Sequence, residues 1–242
     1  MKLAISEVFY SIQGEGSTCG YPAVFVRLGG CNLMCGGMGT QFSKELENGA
    51  TWRCDTIEVW MKARSKEFKD ILDEESFTAI KNGANVVLTG GEPLMQQNAL
   101  LGFIKWLRLN VNENCYVEIE TNGTIMPLEE LQDLVQQFNV SPKLINSGMD
   151  KTQTLRKDVI AVFNKHLNTC FKFVVFDKKD WQEISNDYLP LIDDKNVWLM
   201  PAGEDQELLS QTKEYVAELA KDNFFKYTSR LHIDIWNKKT GV

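Results

Sequence analysis

Short apolar runs alternate with amphipathic segments along most of this 242-residue chain. The apolar runs have the length of buried strands, and we predict strands at residues 23–28, 85–89, 116–120, 170–176, 197–200 and 231–236. Residues between them have apolar positions at helical spacing, at 100–107, 128–135 and 205–223. Strands that alternate with helices are typical of a largely parallel sheet joined by crossover helices. The sequence therefore predicts an α/β fold.

The size of the chain limits how many domains it can form. A chain of 242 residues with 43% hydrophobic content suits one barrel-like or open α/β domain. It has no internal repeat, no low-complexity tract and no Pro/Gly-rich linker. We predict a single domain over residues 1–242, with a polar, glycine-rich loop insertion at residues 36–53.

Charge and hydropathy exclude several classes of partner. A net charge of −7 disfavours nucleic acid, because binding to a phosphate backbone depends on clustered Lys and Arg. The sequence contains no apolar run of about 20 residues and no signal peptide at its beginning, so we expect no membrane and a cytoplasmic location. Six cysteines in a reducing compartment are better candidates for metal ligation than for disulfides.

Three of the cysteines, Cys31, Cys35 and Cys54, are clustered. Thiolates are preferred ligands of iron-sulfur clusters and of zinc. Three cysteines on a cubane cluster leave one iron free to bind a small molecule, whereas a structural zinc site requires four ligands. His166 and His232 lie far away in sequence and lack ligand spacing with the cysteines. A zinc site or incidental thiols remain the alternatives at this point.

Several polar and glycine-rich motifs lie in the loops between the predicted strands and helices. Cys31 follows the strand at 23–28, and later motifs are GGEP at 90–93, TNG at 121–123, SPK at 141–143 and MPAG at 200–203. Loops beyond the carboxyl ends of parallel strands converge at one edge of the sheet, where binding sites form. Glycine allows the main chain to approach a ligand closely, although GGEP alone also fits an ordinary tight turn.

These motifs together resemble the 7-carboxy-7-deazaguanine synthase family of radical S-adenosylmethionine (SAM) enzymes. The resemblance spans nearly the whole chain and rests on FYSIQGEG (9–16), AVFVRLGGCNLMC (23–35), CDT (54–56), LTGGEPL (88–94), ETNGT (120–124), SPK (141–143) and LHIDIWNKKTGV (231–242). It implies a partial, open β/α barrel of the radical SAM type. The usual CxxxCxxC spacing is altered here, because 18 residues, 36–53, separate the second and third cysteines. A longer flexible loop costs little extra closure entropy, so we expect the same three ligands.

The resemblance implies a 4Fe-4S cluster on the three cysteines and a SAM site beside it. Its expected SAM contacts are Gly90, Gly91, Glu92, Ser141, Pro142, Lys143, Met200 and Pro201. The GGEP loop would receive the methionyl amino group, with Gly91 closest. The family's usual glutamine is replaced by Met200, so the contact there would be through backbone or apolar packing.

The resemblance also implies a pterin site and a magnesium ion. The expected substrate contacts are Ile12, Gln13, Gly14, Glu15, Arg27, Thr89, His232 and Val242, and Thr56 would bind Mg²⁺. Arg27 is the one charged residue of an otherwise apolar strand, and its guanidinium suits a substrate carboxylate. A surface ion pair is the alternative for Arg27, and a helix N-cap is the alternative for Asp55 and Thr56.

The implied reaction is a ring contraction. SAM cleavage would yield a 5′-deoxyadenosyl radical that removes hydrogen from C6 of 6-carboxy-5,6,7,8-tetrahydropterin, and 7-carboxy-7-deazaguanine would form with loss of ammonia, as in queuosine-type biosynthesis. The resemblance further implies an electron donor such as flavodoxin and a homodimer. The alternatives are a radical SAM activase that acts on a protein partner and a non-catalytic zinc-binding module.

Overall fold

A computed structural model describes residues 1–241 of the chain. Within these described residues, nine strands form one sheet in the order β3-β1-β2-β4-β5-β6-β7-β8-β9. The strands are β1 (Lys2–Ile12), β2 (Pro22–Leu28), β3 (Arg64–Glu67), β4 (Asn85–Gly90), β5 (Val117–Thr121), β6 (Gln137–Val140), β7 (Thr169–Val175), β8 (Val197–Pro201) and β9 (Lys226–Tyr227). β1 runs antiparallel to β2 and β3, and all other pairs are parallel. The sheet does not close on itself, which confirms the predicted open α/β architecture.

Helices connect most of the parallel strands. They are α1 (Thr40–Ser43), α2 (Ile57–Trp60), α3 (Glu74–Lys81), α4 (Gln97–Asn110), α5 (Glu129–Leu134), α6 (Lys151–Thr154), α7 (Lys157–Lys165), α8 (Lys178–Glu183), α9 (Gln206–Asp222) and α10 (Leu231–Trp236). The three predicted helical segments correspond to α4, α5 and α9. None of the helices within residues 1–241 is long and apolar enough to cross a bilayer.

One face of the sheet packs against the helices and forms the core. Val26, Leu88, Ile119 and Phe138 occupy this face on four successive strands, and all four are fully buried. They pack in the same cluster as the apolar side of α4, which contributes Leu100, Phe103, Ile104 and Leu107. Full burial of such a side chain stabilises the fold by about 1.5–3 kcal/mol, so this layer supplies most of the driving force for folding.

The opposite face of the sheet is lined by polar side chains. The strand register places Arg27 of β2 beside Thr89 of β4, and Glu120 of β5 beside Asn139 of β6. Lys172 lies on the same face of β7, two residues after the neighbour of Asn139. Because buried polar groups are costly unless they are paired, a row of them across five strands marks this inner face as the functional one.

Five of the six predicted strands are present within one or two residues of their predicted ends. They are β2, β4, β5, β7 and β8, whereas β1, β3, β6 and β9 were not predicted. QGEG therefore lies between two strands, β1 and β2. β1 contains Ser6, Glu7 and Ser11 among its apolar residues. Because of this mixed polarity, its hydrophobic pattern does not predict a strand.

The predicted strand at 231–236 is wrong, because these residues form α10. A strand would place Leu231, Ile233 and Ile235 on one face, but Ile233 is buried while Ile235 is 49% exposed. The edge of the sheet beside β8 is already occupied by β9. Six residues are too few for polarity alternation to distinguish a strand from a short helix.

Candidate active site

The three clustered cysteines lie on two segments that meet after β2. Cys31 and Cys35 follow the end of β2, and the Cys54 amide donates to the Cys35 carbonyl at 3.1 Å. At the start of the insertion, the Gly36 amide donates to the Ser147 carbonyl at 2.8 Å. The 36–53 insertion therefore leaves and returns at the same place, so its length does not separate the second and third cysteines in space.

The donor set fits an iron-sulfur cluster. All three thiols are free. Burial raises the pKa of Cys31, and it raises the pKa of Cys35 to about 12, so metal binding must displace these protons. Among residues 1–241, no three Cys, His, Asp or Glu side chains converge on one metal-ion position. In a cluster each cysteine binds its own iron, so the thiols need not converge as they would around a single zinc ion.

The GGEP loop packs against the segment that leads into Cys31. The Gly91 amide donates to the Leu28 carbonyl at 3.1 Å, and the Glu92 amide donates to the Gly30 carbonyl at 2.8 Å. A Cβ at Gly91 would lie 1.8 Å from the Gly30 oxygen, and Gly90 has a φ of +114° that favours glycine. The two loops therefore form one backbone cradle beside the cysteines.

The side chain of Glu92 supports this cradle through hydrogen bonds. Its carboxylate is fully buried and accepts hydrogen bonds from Thr121 Oγ1 (2.8 Å), the Asn122 amide (2.7 Å) and the Leu94 amide (3.0 Å). Burial raises the pKa of Glu92 despite these hydrogen bonds. The Glu92 side chain therefore holds the GGEP loop against residues 121–122.

The remaining residues predicted to contact SAM lie at the ends of β6 and β8. The Ser141 amide donates to the Thr121 carbonyl at 2.8 Å, and Lys143 Nζ lies 5.9 Å from the centre of the Trp52 ring. Pro142 is buried between them, and Met200 and Pro201 are buried at the end of β8. The loop insertion thus contributes Trp52 to the surroundings of Lys143.

Thr56, the predicted magnesium ligand, occupies the N-cap position of α2. Its side chain makes no capping hydrogen bond to the helix, so the predicted alternative role as a side-chain cap is not realised. Thr56 Oγ1 lies 3.5 Å from Cys54 Sγ. The hydroxyl oxygen is therefore placed beside the cysteine cluster.

The QGEG loop crosses the polar inner face of the sheet directly after Ile12, the last residue of β1. Gln13 Nε2 donates to Glu120 Oε1 at 3.3 Å, and Thr89 Oγ1 donates to Glu120 Oε2 at 2.7 Å. Two residues predicted to bind substrate are thus joined through Glu120. Glu120 itself has no role predicted from the sequence. This arrangement holds the amide of Gln13 and the hydroxyl of Thr89 side by side.

Glu15 lies in a buried cluster of charges on the same face. Its Oε2 accepts from Lys172 Nζ, and its Oε1 accepts from Arg230 Nε at 3.0 Å. Burial alone would raise the pKa of Glu15, but the positive charges of Lys172 and Arg230 outweigh it and hold that pKa well below its usual range. Glu15 is therefore ionised at neutral pH.

Arg27 faces the pocket but also has a partner in β1. Its Nε lies 3.0 Å from Glu7 Oε1 without the alignment of a hydrogen bond, and its guanidinium carbon lies 5.5 Å above the Phe9 ring. The side chain is 25% exposed. Arg27 thus forms an ion pair, as the alternative interpretation predicted, while its position beside Thr89 keeps it at the pocket.

The C-terminal segment covers the QGEG loop. The Leu231 amide donates to the Gly14 carbonyl at 2.9 Å, and a Cβ at Gly14 would lie 2.2 Å from His232 Nδ1. Burial lowers the pKa of His232, so its ring is neutral at pH 7. Val242, also predicted to contact the substrate, lies outside the described residues.

Several polar residues of the inner face were missed by sequence reasoning. They are Glu118, Glu120, Asn139, Lys172 and Arg230. Lys172 could have been found by the argument applied to Arg27, because it is the one charged residue of an apolar strand. No pattern in the sequence indicates Arg230.

Comparisons with known proteins agree with this geometry. Residues 12–160 match the family model described as a 4Fe-4S single cluster domain. The chain is 32% identical to the 7-carboxy-7-deazaguanine synthase of Halobacterium salinarum, over 97% of this chain and 91% of that protein. It is 31% identical to the synthase of Pyrobaculum aerophilum, over 99% and 97% of the two chains.

A solved structure shares the fold. The crystal structure of QueE from Escherichia coli matches with a TM-score of 0.65 and 23% identity, and the alignment covers 96% of this chain and 95% of that one. The sequence relatives match over nearly their full length and carry the same name, so the motif resemblance is confirmed. The chain belongs to the 7-carboxy-7-deazaguanine synthase family of radical SAM enzymes.

Proposed function

We propose that this chain is a carbon-nitrogen lyase that converts 6-carboxy-5,6,7,8-tetrahydropterin to 7-carboxy-7-deazaguanine and ammonia. The observation that carries the proposal is the juxtaposition of two features. Three free thiols and a glycine cradle lie at the ends of β2 and β4, and the polar inner face begins beside them at Arg27 and Thr89. A radical formed at the first site needs a substrate held at the second.

The cofactors and the protein have separate tasks. When bound at Cys31, Cys35 and Cys54, a reduced 4Fe-4S cluster supplies the electron that cleaves SAM and provides the radical chemistry. The protein orients the methionyl group of SAM through the backbone of Gly90 and Gly91, which lies against the Gly30 carbonyl. Ser141, Pro142, Lys143, Met200 and Pro201 complete this side of the pocket.

The polar inner face would hold the pterin. Gln13, Gly14 and Glu15 would contact the ring, Thr89 would hydrogen-bond to the substrate, and Arg27 would pair with its carboxylate. Ile12, His232 and Val242 are proposed as further contacts with the pterin.

Thr56 would supply one oxygen to Mg²⁺, and substrate and water would supply the other ligands, because magnesium retains much of its hydration.

An anaerobic turnover assay tests the proposal. Purified protein is reconstituted with iron and sulfide and then supplied with SAM, magnesium, a reductant and the carboxytetrahydropterin, and the deazaguanine product is measured. Cys54→Ala should lose iron and activity together. Cys115→Ala is the matched control, because Cys115 is a buried thiol on the core side of the sheet and should keep both. A reducible cluster without product, or zinc without iron, would contradict the proposal.

The proposal includes a redox partner, an oligomeric state and a location. A one-electron donor such as a flavodoxin would reduce the cluster, and we expect a homodimer, which light scattering of the reconstituted protein measures directly. Free thiols and a reduced cluster require a reducing compartment, so we place the protein in the cytoplasm.

A further inference from the structure

Glu15 is held between two buried cations that belong to distant parts of the chain. The side chains of Lys172 and Glu15 are 6% and 13% exposed, and that of Arg230 is 18% exposed. Lys172 projects from the middle of β7, and Arg230 immediately precedes α10. Each cation bonds to a different oxygen of the Glu15 carboxylate. Such a pair of contacts fixes both the position and the rotation of the carboxylate.

We propose that Lys172 and Arg230 are positioning residues, which hold Glu15 as a fixed, ionised acceptor for the two adjacent N–H donors of the substrate's 2-amino-4-oxopyrimidine ring. This inference rests on the proposed function. It assigns a task to two residues outside the sequence motifs.

The acceptor capacity of a carboxylate supports this assignment. An ionised carboxylate has about four lone-pair sites, two on each oxygen. Lys172 uses one site on Oε2 and Arg230 uses one on Oε1, which leaves one site on each oxygen. Two parallel N–H groups, as in a ring N–H with its neighbouring amino group, match that remaining pair of acceptors.

Arg230 also connects Glu15 to two other parts of the pocket. Its Nη1 donates to the Gly203 carbonyl at 2.5 Å, beyond the end of β8, and its Nη2 lies 3.9 Å from Asp55 Oδ2 beside Thr56. A planar guanidinium can span three acceptors in fixed directions, whereas a lysine ammonium cannot. The side chain thereby couples the orientation of Glu15 to the loops on either side of it.

The surrounding charges keep Glu15 ionised. Burial favours its neutral form, but the two cations outweigh burial and lower the pKa of Glu15, and the pKa of Lys172 is raised by Glu15 in return. The titratable groups that face Glu15, Lys172 or Arg230 are His232, Cys19, Cys170, Glu120 and Asp55. Removal of one cation should therefore raise the pKa of Glu15.

Equilibrium dialysis with the stable product, 7-carboxy-7-deazaguanine, tests the inference without turnover. Wild type, Lys172→Gln and Lys172→Arg are compared under anaerobic conditions with SAM bound. For Lys172→Gln we expect the Kd of the product to rise about tenfold or more. Its affinity should also begin to fall at a higher pH than that of wild type as the pH is lowered, because the pKa of Glu15 is raised. Lys172→Arg should restore the wild-type profile.

The controls separate positioning from folding. Lys226→Gln, on the exposed edge strand β9, should leave the Kd of the product and its pH profile unchanged. Iron content and SAM affinity should be retained in Lys172→Gln, since neither site includes this residue. If Lys172→Gln does not fold, Arg230→Lys replaces it as the test variant. It keeps the positive charge but removes the planar guanidinium, so it should weaken product binding and leave SAM affinity unchanged.

A ligand analogue gives the sharpest outcome. The product without its 2-amino group should bind wild type about tenfold more weakly, and the difference should shrink in Lys172→Gln, because the oriented acceptor is already lost. Equal losses in both proteins, or a Kd of the product for Lys172→Gln equal to that of wild type, would overturn the inference even if wild type converts the pterin. Failure of wild type to convert the pterin would instead contradict the proposed function.

Discussion

At Gly14 a single methyl group has no room, because the C-terminal segment lies directly on the loop. A Cβ there would meet His232 Nδ1 at 2.2 Å and the His232 amide nitrogen at 3.1 Å. We predict that Gly14→Ala displaces residues 228–237 and weakens substrate binding while the cluster is retained. Hydrogen exchange of this segment should become faster in the variant.

Another glycine of the segment between β1 and β2, Gly20, provides the control for this prediction. Gly20 has a φ of +90°, and a Cβ added there would have no atom within 4 Å, so Gly20→Ala introduces backbone strain without a clash. Its hydrogen exchange at 228–237 should match that of wild type. Faster exchange there in both variants would show that the loop, and not contact with His232, controls the segment.

Single residues also show how far the sequence can predict the site. The cysteines, glycines and QGEG residues stand in local motifs, so they can be found by inspection. Lys172 and Arg230 are 58 residues apart and contact Glu15 only because β7 and α10 meet at the inner face. Long-range pairs of this kind depend on the strand register, which the local pattern does not specify.

At the scale of elements, α3 offers a helix whose start depends on one side chain. Asp73 accepts a hydrogen bond from the Ser76 amide at 2.8 Å, and this bond lowers the pKa of Asp73. We predict that Asp73→Ala lowers the free energy of unfolding by about 1 kcal/mol, as is usual for loss of an N-cap. Urea unfolding of the iron-free protein measures the change.

The isosteric variant Asp73→Asn separates the hydrogen bond from the charge. Asparagine is as good an N-cap as aspartate, so this variant should unfold close to wild type at pH 7. The Asp73 contribution of wild type is present above the ordinary carboxyl pKa and is lost as the pH falls through the lowered value. A loss in Asp73→Asn equal to that in Asp73→Ala would assign the effect to charge alone.

Elements differ in how well their sequences specify them. α4 and α9 are long and strongly periodic, and the sequence predicts them within a few residues. Among the central parallel strands, β2 and β4 are mostly apolar, whereas β5 and β6 alternate apolar residues of the core face with polar residues of the inner face. α10 and β9 are short and depend on tertiary neighbours, since α10 packs on Gly14 and β9 adds to β8. Short-range patterns cannot supply these contacts.

At the scale of the whole molecule, the two faces of the sheet have opposite tasks. The outer face buries apolar side chains against the helices, whereas the inner face carries carboxylates and cations that are partly or fully removed from water. Burial of charge lowers stability unless partners compensate for it. The apolar core on the other side of the sheet thus offsets the free-energy cost of burying these ionisable groups. We expect that cost to appear as a pH dependence of the free energy of unfolding.

Glu118 is the inner-face residue that should reveal this cost. It is fully buried and accepts hydrogen bonds from Thr18 Oγ1 (2.7 Å), Asn85 Nδ2 (2.9 Å) and Asn139 Nδ2 (3.0 Å), all of them neutral donors. Burial raises the pKa of Glu118, and the nearby charge of Glu120 adds to the effect. The folded protein therefore retains a proton on Glu118 that the unfolded chain has already lost.

This proton sets the sign of the pH dependence. Because the folded state binds more protons between the unfolded pKa of about 4.3 and the raised folded value, the contribution of Glu118 to stability falls as the pH rises through that interval. We predict that Glu118→Gln removes this contribution, so that the unfolding free energy of the variant decreases less steeply with pH than that of wild type. Urea unfolding of both iron-free proteins at several pH values measures the difference, in which the other titrating groups cancel. Parallel curves would mean that Glu118 is ionised in the folded state, with its three neutral donors sufficient to hold the charge.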